Sequence, residues 1–135
     1  MMIVSACLAG KKCRYDGEHK KQQLISDLVA QGKAIAVCPE ELGGLPTPRP
    51  PAENVDGKLI TIDGEDVSVN YELGAQRSLE IALENSCTKA LLKSKSPMCG
   101  AGLVYDGSFA GNLIEGDGEF TKKLKENGIQ VQAID

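Results

Sequence analysis

The chain has 135 residues, a length at which one core can form without disulfide or metal staples. Hydrophobic residues make up 41% and aromatics only 4%, with no Trp, so the core must come from Ile, Leu, Val and Ala, and a surface that stacks single-stranded bases is disfavoured. A net charge of −4 is not the footprint of a protein that coats DNA or long RNA, so long nucleic acid is an unfavoured partner.

In chain order, Met2 to Ala6 is a short apolar run that reads as a buried strand. No basic residue precedes it, as an export signal would require, and no apolar run approaches the roughly 18 residues of a membrane span. The cytoplasm is the expected location. After a Gly- and Lys-rich loop, "KQQLISDLVAQGK" places Leu24, Ile25, Leu28 and Val29 on one face of a helix, with Gly32 as its stop. Ala34 to Cys38 is a second apolar strand, so strand, helix and strand form a βαβ unit with parallel pairing.

Five of the six prolines lie between Pro39 and Pro51. Proline fixes φ and removes an amide donor, so Pro39 to Asn54 is expected to be a stiff loop with neither helix nor inner strand. "KLITIDGEDVSV" reads as a small hairpin turning at Asp63-Gly64. Asn70 to Cys87 reads as a helix with Leu73, Leu79, Ile81, Ala82 and Leu83 on its apolar positions. "TKALLK" is a third core strand. "GEFTKKLKENG" is a helix facing inward through Phe120 and Leu124 and stopped by Gly128, and "IQVQAI" is the last strand. Val104 to Gly107 repeats the "YDG" of the first loop and reads as a similar turn. The alternation predicts an α/β fold: one domain over 1–135, a mostly parallel sheet with helices on both faces, Rossmann-like or flavodoxin-like, plus a small hairpin insertion.

Cys7 lies just past the first strand, Cys38 ends the second and Cys99 follows the third. In a parallel sheet all three fall at the carboxyl ends, where ligands bind. Each thiol on its own is compatible with core filling. Three at strand-to-loop switches, with Pro or Gly nearby, suggest convergence in one cleft. There is no CxxC pair, so neither a zinc ribbon nor a ferredoxin motif is indicated. Cys13 is a fourth ligand or a spare thiol, and Cys87 a packing or surface thiol. Glu40, two residues after Cys38, is a general base or a solvated loop acid. Ser96, three before Cys99, positions a water or oxyanion or caps a turn. His19, among lysines, faces solvent.

The segments "SACLAGKKCRYDG", "CPEELGGLPTPRPPAE", "GEDVS", "LLKSKSPMCG", "YDGSFAG" and "GDGEFTKKLKENGI" together resemble the thiouracil desulfidase (TudS) family over nearly the whole chain. The resemblance implies a [4Fe-4S] cluster held by only Cys7, Cys38 and Cys99, with one open iron for the sulfur of a thiolated pyrimidine. It also implies catalytic roles for Glu40 and Ser96. Met98 stands where the family pattern has Ser. The implied reaction is a non-redox hydrolysis: a 4-thiouracil unit, carried on 4-thiouridine monophosphate, plus water gives the uracil form and hydrogen sulfide. Arg14, Arg49, Lys93 and Lys95 are the cations available for a phosphate. The rival readings are a zinc hydrolase on the same three cysteines, a cluster carrier with four thiolates, and a nucleotide-binding module whose cysteines only pack.

Overall fold

The computed structural model describes residues 1–135. The expected α/β architecture is present. Four parallel strands, β1 (Met2–Ser5), β2 (Ala34–Val37), β5 (Lys89–Lys93) and β8 (Gln130–Ile134), form a sheet in the order β2-β1-β5-β8. Alternate side chains of a strand leave opposite faces. Ile3 and Leu92 therefore enter a larger core with helices α3 (Ser68–Glu84) and α4 (Glu119–Glu126), while Val4 and Leu91 enter a smaller one with helix α1 (Gln23–Ala30). Burial on both faces is why these strands read as unbroken apolar runs.

The helix ends follow local chemistry. Gly32 (φ +72°) and Gly128 (φ +75°) take the left-handed conformation that stops α1 and α4. The Asp66 carboxylate accepts the Ser68 amide at 2.9 Å and starts α3. Ile25, Phe120 and Leu124 are buried as expected. Leu24, Leu73 and Leu83 are exposed instead; α3 faces the core through Tyr71, Gly74, Ala75, Ser78, Leu79 and Ala82. No helix is long and apolar enough to cross a membrane.

Three local expectations are corrected. The proline-rich segment begins with a short helix, α2 (Pro39–Leu42), because Pro at the first helical position gives up an amide that has no intrahelical partner anyway. It ends in strand β3 (Ala52–Val55), which pairs antiparallel with β4 (Lys58–Thr61). That hairpin turns at Asp56-Gly57, both at positive φ as a type I′ turn requires, and not at Asp63-Gly64. The second Asp-Gly pair instead steers the chain from β4 into α3, with a single bridge between Ile60 and Asp66. Finally, the stretch after Cys99 is a second hairpin, β6 (Leu103–Tyr105) with β7 (Leu113–Glu115), in place of a plain loop. The two "YDG" segments are similar turns: Gly17 (φ +79°) and Gly107 (φ +93°) are both left-handed.

Candidate active site

The carboxyl ends of β1, β2 and β5 open on one cavity of about 490 Å³, within the size range of small-molecule sites. Cys7, Cys38, Cys99, Glu40 and Ser96 all line it. Each thiol is set by its own backbone device. Cys7 sits in a 3₁₀ turn (Ala6–Ala9) closed by Gly10 at φ +104°. Cys38 precedes Pro39 and caps α2. Cys99 lies in a compact turn where the Ser96 hydroxyl accepts the amides of Met98 (3.1 Å) and Cys99 (2.7 Å). Its carbonyl accepts from the buried Thr121 hydroxyl at 2.9 Å. Met98, the departure from the family pattern, is wholly buried beneath this turn.

Cys13 also lines the cavity, 2% exposed, and its carbonyl accepts the Cys38 thiol at 3.6 Å. A hydrogen bond from Cys13 pulls the Cys38 thiol down against the effect of burial, and Cys13 is itself pushed up. Burial pushes the Cys7 thiol up to about 11, with Cys38 adding to the effect. Burial also raises Cys99, against a hydrogen bond with Ser5. Soft thiol donors that gather protons this way release them to a soft cation. Three soft thiols lining one cavity are a donor set that fits an iron–sulfur cluster.

Glu40 is in the first turn of α2, 15% exposed at its side chain, and ion-paired to Arg49. The guanidinium of Arg49 also donates to the Cys13 carbonyl (2.9 Å), the Thr47 hydroxyl (2.9 Å) and the Pro46 carbonyl (3.2 Å). Arg49, one of the cations the sequence offers for a phosphate, is therefore committed to holding the site together. Its neighbour Glu41 is tied separately, by Lys11 and Thr47. Tyr71 lines the same wall; burial, then the Glu40 carboxylate, push its phenol well up, so it stays protonated. Arg14, Lys93 and Lys95 line another part of the cavity. Of these only Arg14 has an ion-pair partner, Asp16 at 3.4 Å. Burial, then the charge of Arg14, lowers Lys93.

Sequence reasoning missed Tyr71 and the aromatic part of the lining, Tyr15, Tyr105 and Phe109, because their approach to the cavity is tertiary. Cys87 is buried in the larger core ahead of β5, away from the cavity, and His19 is exposed with Nδ1 accepting the Lys21 amide.

The parallel α/β sheet thus gathers three thiols and an ion-paired carboxylate around one cavity of small-molecule size, the donor set of a cysteine-bound cofactor. The chain belongs to the 2-thiouracil desulfurase family, whose sequence profile matches residues 2–135. It is 42% identical to the "Uncharacterized protein YbbK" of Bacillus subtilis (strain 168), over 97% of this chain and 93% of that protein. Among solved structures it is similar to the "[4Fe-4S]-dependent thiouracil desulfidase TudS (DUF523Vcz)", with 45% identity, a TM-score of 0.92, and coverage of 98% of this chain and 89% of the other.

Proposed function

We propose that residues 1–135 act as one cytoplasmic desulfidase domain that removes sulfur hydrolytically from a thiolated pyrimidine. The observation that carries this reading is the meeting of Cys7, Cys38 and Cys99 with Glu40 around one cavity, in a chain of the 2-thiouracil desulfurase family. Cys7, Cys38 and Cys99 would hold a [4Fe-4S] cluster of the kind named for the structural relative. With only three protein ligands, the cluster when bound supplies an open, Lewis-acidic iron for a soft thiocarbonyl sulfur.

The protein's own groups supply the rest. Glu40, held by Arg49, takes a proton from the water that attacks the ring carbon. Ser96 accepts two amides, which leaves its O–H to orient that water or the substrate. Tyr71 keeps its proton and serves as a donor on the Glu40 side. Arg14, Lys93 and Lys95 form a cationic face suited to the phosphate of 4-thiouridine monophosphate. Carbon exchanges its bond to sulfur for one to oxygen, the uracil form leaves with hydrogen sulfide, and no electron is transferred overall.

The test is anaerobic reconstitution with iron and sulfide, iron analysis, and addition of 4-thiouridine monophosphate while the thio-base absorbance and released sulfide are followed. About four irons per chain with loss of the thio-base is the expected result. A redox-active cluster without turnover would return the protein to the carrier reading, with Cys13 as fourth thiolate. Zinc in place of iron would overturn the cluster.

A further inference from the structure

Of the two phenylalanines in the chain, Phe120 is fully buried in the core, whereas Phe109 lines the cavity. Phe109 sits at the tip of the β6–β7 hairpin with φ +58°, a left-handed conformation that a bulky side chain rarely adopts. Such a conformation persists only where the surroundings impose it, and it concentrates at functional sites.

The surroundings that impose it are specific. Glu53, on β3 and only 8% exposed, has no ion-pair partner; its Oε1 accepts the amides of Gly107 at 2.9 Å and Phe109 at 3.2 Å. A buried carboxyl group left without those two amides would be costly. Gly107 is pressed so close to β3 that a Cβ there would lie 2.5 Å from the Asn54 carbonyl oxygen. Asp106 ties the Ser108 amide at 2.9 Å and completes the tip. A buried carboxyl and a strained backbone thus fix one aromatic residue in the lining of the cavity that the thiols and Glu40 also line.

We propose that Phe109 is the face against which the pyrimidine ring of the substrate packs, and that Glu53 is the positioning residue that holds it there. The inference rests on the desulfidase reading for the identity of the ring, and on the hairpin geometry for its place. An aromatic face binds pyrimidines through ring stacking, so it serves the thiolated substrate and the uracil product alike.

The test uses the reconstituted holoprotein with 4-thiouracil as substrate and uracil as a non-reacting probe in equilibrium dialysis. Phe109→Gly removes the ring and relieves the strain, because glycine accepts positive φ. It is expected to raise KM and weaken uracil binding by roughly tenfold or more, with kcat changed less than threefold and Tm unchanged or higher. Phe109→Tyr keeps an aromatic face and both wild-type values. Glu53→Ala weakens uracil binding in the same sense, and Glu53→Gln, which retains an amide-accepting oxygen, restores most of it. Uracil that binds Phe109→Gly as tightly as wild type, or that does not bind wild type at all, overturns the proposal. Wild-type protein that binds uracil through Phe109 but releases no sulfide from either 4-thiouracil or 4-thiouridine monophosphate would overturn the desulfidase reading and leave the ring site standing.

Discussion

Nε and Nη2 of Arg49 both lie 2.6 Å from one oxygen of Glu40, Oε2, in a pair whose Arg side chain is 6% exposed. The two residues are nine positions apart, at opposite ends of the proline-rich segment, so this contact closes that loop onto α2. Removing one partner of a buried pair strands the other. Arg49→Ala is therefore expected to cost about 3 kcal/mol of stability and at least tenfold in kcat. Arg49→Lys recovers only part of both, since an ammonium cannot replace the planar fork. Arg49→Met combined with Glu40→Gln should be more stable than Arg49→Ala alone and still inactive. Urea unfolding and sulfide release measure the two effects separately.

The cysteines divide into groups that iron analysis can separate. Ser substitution of Cys7, Cys38 or Cys99 is expected to lower iron after reconstitution to well below half of wild type. Cys87→Ser should leave iron unchanged, because Cys87 packs in the larger core away from the cavity. Cys13→Ser should retain iron too; a loss there equal to that in Cys38→Ser would make Cys13 a fourth ligand and count against an open iron.

Two glycines allow α2 to lie against α3. A Cβ at Gly74 would be 1.8 Å from the Pro39 carbonyl oxygen, and one at Gly43 would be 2.0 Å from that of Asn70. Asn70 and Arg77 then donate to the Gly43 and Leu42 carbonyls at the end of α2. Gly74→Ala must push α2 away, taking Glu40 and the cap residue Cys38 with it. The expected loss is about 3 kcal/mol or more, with iron content falling in parallel. Gly32→Ala is the control: nothing lies within 4 Å of its Cβ, so it pays only for its left-handed φ, about 1 kcal/mol, and keeps its iron.

Asp117 links the base of the β6–β7 hairpin to α4, accepting the Gly102 amide and pairing with Lys125 at 3.0 Å. Partial burial would raise its carboxyl, but the amide and the ammonium outweigh it and hold the group below the usual aspartate value. A depressed folded-state value stabilises the fold above the unfolded aspartate value, about 3.9, and that contribution is lost as pH falls through the folded value. Asp117→Asn should thus be less stable than wild type by about 1 kcal/mol at pH 7, with a smaller gap at pH 3. Urea titrations at the two pH values check this; a gap that widens in acid would refute it.

The parts of the fold legible in the sequence are those fixed by strong local signals. Met2–Ser5, Ala34–Val37 and Lys89–Lys93 are apolar runs of strand length, and Gly32 and Gly128 mark helix ends. Parallel order then carries Cys7, Cys38 and Cys99 to one end of the sheet without further information. The hairpins were not legible in this way. Asp56-Gly57 and Asp63-Gly64 are equivalent as letters, and only the pairing of Ala52–Val55 with Lys58–Thr61 selects the first. The exposed Leu24 and Leu83 are indistinguishable from inward leucines until the helices are docked. Arg49 looks like any loop cation until Glu40 is seen beside it.

The three thiols at the sheet's carboxyl end come from loops far apart along the chain, with α1 between the first two and α3 between the second and third. No fragment shorter than Cys7 to Cys99 contains all three thiols. A cluster held by these thiols as proposed would need β2, β1 and β5 in register, so iron taken up on reconstitution would report that the sheet has formed.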